Sequence, residues 1–277
     1  MNPASRSRES YAAAPLGGIT NKKKDNIMKS DNVSTISGME YVAGVDGATG
    51  GWVMAVTGAE RGAPIEFVVS RSFEDLLVDA RARRLKVVGV DIPIGLSGVG
   101  RRTADIEAKE RLGGQRQKSV FHAPAHCTIA ARDAAAAYEC NRRTGHELSP
   151  LALSLLPKIR EARSASRSNA YASTAQTRLA EVHPEVSFSE LAGAPMTFVK
   201  KHQPGVAARL SVLVGEFPNI VEAAVLTAHV GPPRPTHQDL LDAAAAAWTA
   251  RRIASGDAIC LGEGEFDATG YPMSIWV

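Results

Sequence analysis

The sequence predicts an α/β fold, a mixed five-stranded sheet flanked by helices, on three observations. Three short apolar runs, Tyr41–Asp46, Trp52–Thr57 and Ile65–Ser70, succeed one another with only turn residues between them, the pattern of an antiparallel meander. Two further apolar runs, Lys86–Asp91 and Arg178–His183, each follow a helical stretch, so they join the sheet by crossovers. A long alanine-rich helix, Thr236–Ser255, then precedes a short tail.

The elements follow in order from local chemistry. Gly47–Gly51 (GATGG) turns the first hairpin, and Gly62 and Pro64 turn the second. Ser72 caps a helix whose apolar stripe is Phe73, Leu76, Leu77 and Ala80, with Glu74 and Asp75 in its first turn. Lys86–Asp91 is continuously apolar between its charged ends, as expected of a central strand buried on both faces, and Pro93 and Gly95 end it. A helix over Arg102–Leu112 closes at Gly113, and an alanine-rich one over Thr128–Arg143 closes at Gly145. Pro150–Arg163 reads as an amphipathic helix disturbed by Pro157, and Ser164–Thr177 as a polar loop. After the fifth strand, Ser187 and Glu190 have the spacing of a capping box. Helices follow over Gly205–Glu216 and Asn219–Ala228, and the long helix closes at Gly256. Ala258–Leu261 and Met273–Val277 read as short terminal strands. A meander followed by crossover helices is the order of the ribonuclease-H-like fold, with residues 96–178 as a helical insertion beside the sheet.

Composition narrows the class. The chain has 277 residues, 44% hydrophobic and 22% charged, which suits a packed core. No run of eighteen apolar residues occurs, so no ordinary membrane-spanning helix is expected. Residues 1–40, rich in Ser, Asn, Lys and Gly, read as a disordered tail that contains two internal candidate starts, Met28 and Met39. Three scattered cysteines, Cys127, Cys140 and Cys260, argue against a disulfide scaffold or a zinc ribbon and for a reducing, cytoplasmic setting. The formal charge is +3 but uneven: residues 92–178 carry fourteen basic and seven acidic side chains, and residues 179–277 six and eleven. A basic middle suits a polyanionic partner such as DNA or RNA, or is a set of solvated helix faces.

The candidate chemistry lies in acids at the ends of elements. Asp46 ends the first strand and Asp91 the fourth, each with glycine two positions before it; Glu181 and Glu185 flank the end of the fifth. Asp239 and Asp242, three residues apart, share one face of the last helix. Strand C-termini and a helix N-terminus can converge on one crevice. Several carboxylates together there call for Mg²⁺ or Mn²⁺, and two such ions can clamp a phosphodiester. Singly, each acid has a structural reading: a turn residue for Asp46, a loop cap for Asp91, a helix cap for Asp239 with Thr236. An unpaired acid ending a buried apolar strand is costly, which favours function for Asp46 and Asp91.

The stretches VAGVDGATGGW (42–52), VVGVDIPIGL (87–96), SVFHAP (119–124), LLPKIREA (155–162), EVHPEVSF (181–188) and DLLDAAAAAWTARRIASG (239–256), in that order, resemble the family called domain of unknown function 429, regarded as ribonuclease-H-like nucleases. The resemblance covers residues 42–277. It departs in the first loop, where Gly47-Ala48-Thr49-Gly50-Gly51-Trp52 replaces a common Gly-Cys-Arg-Gly-Gly-Trp. It implies Asp46 as the acid bridging two metals, Asp91 as the fourth-strand acid, Asp242, with Asp239, as the acids of the last helix, and Glu185 as a further ligand.

Around these acids the sequence offers cations. Arg116 and Lys118 precede Val120–Phe121 in the basic insertion, and Lys200, Lys201 and His202 follow the Glu-bearing strand. Lys200 and Lys201 are candidates for phosphate contact, against a solvated turn, and the resemblance implies Arg116 and Lys118 as part of a substrate-binding loop. His183, between Glu181 and Glu185, is a candidate substrate, metal or proton-shuttle residue, or a hydrogen-bonded core histidine. His122 and His126 flank a proline and lack helical zinc spacing, and Trp248 reads as core. No GxSxG elbow and no GxxxxGK[ST] loop is present. The expected activity is a two-metal nuclease using Asp46, Asp91, Glu185 and Asp242. The alternatives are an actin-like or sugar-kinase-like nucleotide binder using GVDGATGGW, and a non-catalytic module on the same fold.

Overall fold

Glycine sets the first turn of the sheet. Gly50 sits at φ 78°, and β1 (Tyr41–Ala48) folds back on β2 (Gly51–Gly58) with Asp46 opposite Val53. β3 (Ile65–Ser70) adds antiparallel to β2. This computed structural model describes residues 40–145, 147–167, 177–228 and 232–277. The chain divides into two units, Met1–Ser37 and Gly38–Val277; residues 1–39, which take in the first unit, both alternative starts and all of the expected tail but Glu40, lie outside the described residues.

Helix α1 (Phe73–Ala82) opens as its sequence dictates. Ser72 accepts a hydrogen bond from the Asp75 N–H at 3.1 Å, and the buried face is Phe73, Leu76, Leu77 and Ala80. β4 (Val87–Val90) runs parallel to β1, with Gly89 beside Gly44. α2 (Thr103–Leu112), two 3-10 turns (Arg116–Ser119 and His126–Ala130), α3 (Ala134–Arg143) and α4 (Pro150–Arg167) intervene before β5 (Arg178–Glu181), which is parallel to β4. α5 (Pro184–Ala192), α6 (Gln203–Val214), α7 (Ile220–Ala228) and α8 (His237–Ser255) follow, and β6 (Cys260–Leu261) pairs antiparallel with β7 (Ile275–Trp276) as a separate small sheet. The main sheet has the order β3-β2-β1-β4-β5. Five strands in this order and polarity, with eight helices among the described residues, make the mixed α/β sheet the sequence predicts, an arrangement consistent with a ribonuclease-H-like fold.

The period-two alternation of the strands divides the core in two. Ala43, Val45, Trp52, Met54, Val56, Val88 and Val90 face α1 and α4, whose Leu76, Leu156 and Ile159 are buried against them. Val53 and Ala55, with Val42, Val87 and Val182, face the alanines of α8. The expected insertion therefore contains one of the covering layers: Ile159 is fully buried, worth about 1.5–3 kcal/mol for such a side chain.

Several local expectations are corrected. The helix expected over Thr128–Arg143 is a 3-10 turn and then α3, because Asp133 turns its side chain onto the Ala136 N–H at 2.8 Å and starts a new helix there. α4 continues through Pro157 to Arg167, its ladder held by the buried Leu156, Ile159 and Ala162 around the proline; the rest of the expected Ser164–Thr177 loop, residues 168–176, lies outside the described residues. No capping box opens at Ser187: α5 begins at Pro184, a residue suited to the first helical position, and Ser187 lies inside it, bonded to the His183 carbonyl at 3.2 Å and the Thr249 hydroxyl at 2.8 Å. Cys127 and Cys140, expected to be free, form a disulfide with Cα atoms 6.1 Å apart that ties the second 3-10 turn to α3. That bridge removes the cysteine-count argument for a reducing compartment. Among the described residues no helix is long and apolar enough to cross a membrane.

Candidate metal centre

The glycine two positions before each of Asp46 and Asp91 has a packing role. A Cβ on Gly44 would lie 2.0 Å from the Ala247 nitrogen and 2.2 Å from the Ala243 carbonyl oxygen, and one on Gly89 would lie 2.9 Å from the Ala246 carbonyl oxygen. The bare backbone at these two registered positions lets α8 lie directly on the sheet. Because side chains alternate, Asp46 and Asp91 emerge on the same face as Gly44 and Gly89; Asp46, expected to end its strand, lies two residues inside β1, which pairs with β2 as far as Ala48, while Asp91 lies just past β4 and its N–H donates to the Val45 carbonyl at 2.9 Å. Asp242 immediately precedes the alanine run and is carried to the same point. One carboxylate oxygen from each of Asp46, Asp91 and Asp242 lies within 4.8 Å of the other two.

Their environment disfavours three negative charges. Burial, then Asp91 and Asp242, push the Asp46 carboxyl well above the carboxylate range, although its Oδ1 accepts the Gly47 N–H at 2.6 Å. Burial and Asp242 push Asp91 up to about 7. Burial raises Asp242 too, against the pull of Lys200. The Lys200 ammonium bonds Asp242 Oδ2 at 2.7 Å; burial would lower its own pKa, but Asp242 and Asp91 outweigh this and raise it.

The other predicted acids are engaged elsewhere. Glu185 receives two bonds from Arg209, at 2.8 and 2.6 Å, and Arg116 stands 3.7 Å away. Its charge is thus compensated within α5 and α6, and it is not in the three-carboxylate cluster. Asp239 completes a capping box with Thr236: its Oδ2 accepts the Thr236 N–H at 2.8 Å and its own N–H donates to the Thr236 hydroxyl at 3.2 Å. It lies outside the three-acid cluster while still raising Asp46 through space. Glu181 is held by Arg102 at 2.8 and 2.7 Å and by the Ile94 N–H at 2.8 Å. The strand ends there, so Glu181, His183 and Glu185 do not share one strand face.

The cations are placed unequally. His183 is the N-cap residue of α5, and burial, then Lys200, push its pKa down to about 4; its buried Nδ1 meets no partner among the described residues. Arg116 donates to the Thr197 carbonyl at 2.8 Å. Lys118 and Lys201 are exposed. One lysine had no role in the sequence reading. Lys158, on α4, donates to the Gly51 carbonyl at 2.5 Å and lies 4.2 Å from the Trp52 ring centre. Its stem occupies the place of a Gly47 Cβ, which would meet Cδ at 2.7 Å, and Asp46 acts on it through space. The sequence signal was a lone lysine between the buried Leu156 and Ile159.

No curated protein and no solved structure matches the chain. The family model described as "Protein of unknown function (DUF429)" matches residues 44–265, a stretch that begins at the glycine under α8 and contains Asp46, Asp91 and Asp242. With most of the ordered sheet and the whole carboxylate cluster inside that match, the chain belongs to the DUF429 family.

Proposed function

We propose that the protein is a divalent-metal-dependent phosphodiester hydrolase of nucleic acid, with Asp46, Asp91 and Asp242 as its metal ligands. The observation that carries this reading is the meeting of three carboxylates from three separate elements within 4.8 Å. Their raised pKa values fit a cation: charges that repel one another when bare are relieved by an ion between them. The donor set is oxygen only, which suits Mg²⁺ or Mn²⁺. Bound there, such an ion supplies a Lewis acid that acidifies a water and offsets charge on the phosphate.

The chain itself contributes position and charge. The Gly47 N–H holds one Asp46 oxygen, and α8 holds Asp242 against the sheet. His183 is neutral at pH 7, and its Nδ1, without a partner among the described residues, can accept a hydrogen bond. Arg116, Lys118 and Lys201 offer positive charge for a nucleic-acid backbone. The nucleotide-binding alternative calls for a second copy of the fold, and the described residues hold one five-stranded sheet.

The test uses the purified full chain with Mn²⁺ or Mg²⁺ and labelled single-stranded DNA, duplex DNA, RNA and a four-way junction. Cleavage of at least one substrate is expected, with Asp46→Asn lowering the rate by at least about 100-fold, the scale of losing a transition-state charge contact. No cleavage above the Asp46→Asn background on any of the four substrates defeats the proposal.

A further inference from the structure

Lys200 occupies a place in the carboxylate cluster where a cation is wanted. Of the five carboxylates expected to hold metal, Glu185 is engaged by Arg209 and Asp239 by the helix cap. Of the remaining three, Asp242 already bonds the Lys200 ammonium at 2.7 Å. The lysine is fixed from its backbone as well, since its carbonyl accepts the Gln238 side-chain N–H at 3.1 Å, one turn before Asp242 on α8. An ammonium has three donors; only the bond to Asp242 is made among the described residues, and the side chain is 43% exposed. Two donors thus point to solvent or to a ligand.

Charge counting completes the argument. Once a bound ion holds all three carboxylates ionised, they and one ammonium leave two net negative charges, which one divalent ion neutralises. A second ion would have to displace Lys200 from Asp242 or share carboxylates whose charge is already balanced. We propose that Lys200 stands in place of a second cation: the site takes one divalent ion, and the lysine ammonium serves as the second positive contact for the substrate phosphate. The phosphate contact rests on the hydrolase reading above; the ion count rests on the side-chain contacts alone.

The experiment titrates metal-free full-length protein with Mn²⁺, following free Mn²⁺ by electron paramagnetic resonance and heat by calorimetry. The wild-type chain is expected to bind one Mn²⁺. Lys200→Met, which keeps the stem and removes the charge, is expected to bind Mn²⁺ about tenfold more tightly or to accept a second ion, the effect of one close positive charge. Lys200→Arg, the charge-preserving control, keeps the wild-type count and affinity. With saturating Mn²⁺ and bis(p-nitrophenyl) phosphate, Lys200→Met loses about tenfold or more in kcat and Lys200→Arg recovers part of it. Two Mn²⁺ per wild-type chain, or a Lys200→Met variant that folds with unchanged count and affinity, overturns the inference. If Lys200→Met fails to fold, two ions in the wild type or a lost ion in Lys200→Arg overturns it instead. One ion with a lysine-dependent affinity but no cleavage of any of the four nucleic-acid substrates leaves the ion count standing and defeats the hydrolase reading. Cleavage that requires two bound ions does the reverse, and no Mn²⁺ binding defeats both.

Discussion

A buried carboxylate is defined by what stands opposite it. Asp46 and Glu185 have the same chemical group and both end up in protected surroundings, yet only Glu185 meets an arginine in direct contact, bonded twice by an Arg209 that is 1% exposed. Removing one partner of such a pair leaves an uncompensated charge, whereas replacing both with apolar groups is often neutral. Arg209→Met is therefore expected to lower unfolding stability in urea by about 3–5 kcal/mol, and the double variant Arg209→Met with Glu185→Leu to recover most of it. A double variant as unstable as the single would mean that Arg209 acts through Phe188, which its guanidinium faces at 5.4 Å, and through its carbonyl contacts. Glu181 is settled in the same way by Arg102. Among the described residues Asp46, Asp91 and Asp242 have one contacting ammonium between them, and this imbalance sets them apart as the candidate metal ligands.

At the scale of the element, the decisive contact is α8 against β1 and β4. An alanine run on the helix meets glycine on two parallel strands, and the closeness of that approach brings Asp242 to Asp46 and Asp91. Gly44→Ala places a Cβ 2.0 Å from the Ala247 nitrogen, so the helix must retreat. The variant is expected to lose about 1–3 kcal/mol of stability and to bind Mn²⁺ more weakly, read by thermal unfolding and by titration. Loss of stability with unchanged Mn²⁺ affinity would uncouple this packing from the cluster. The helix end is the more legible part: Thr236, Asp239 and Gly256 mark it as they would in any surface helix, and all three act as caps. The same local logic explains the misplaced start of α5. Ser187 and Glu190 have the right spacing, but Pro184 three residues earlier is the stronger helix-opening signal.

For the whole molecule, the cluster ties stability to pH and to metal. Asp91 titrates at about 7 in the fold against an ordinary 3.8, and Asp46 is raised in the same direction. Between those values the folded chain keeps a proton that the unfolded chain has released. This contribution is complete below the unfolded value and is lost as pH rises through the folded one. Without metal, Tm should fall between about pH 5 and about pH 8; Mn²⁺ should restore it more at the higher pH, and Asp91→Asn should flatten the trend. A Tm that does not fall over this range would contradict the raised Asp91 value. Resemblance of its motifs pointed to the family; what the sequence determined by itself was the five strands in chain order, most of the covering helices and the acids near the strand ends. These follow from periodicity, turn residues and caps, all interactions between near neighbours in the chain. Tertiary structure alone decided which acids remain uncompensated: Arg209 is 24 residues from Glu185 and Arg102 is 79 from Glu181. Lys200 is 42 residues from Asp242 and Lys158 is 107 from Gly51. Coulombic compensation depends on distance through space and on local burial, and those distances are set only once α8 has closed on the glycines of the sheet.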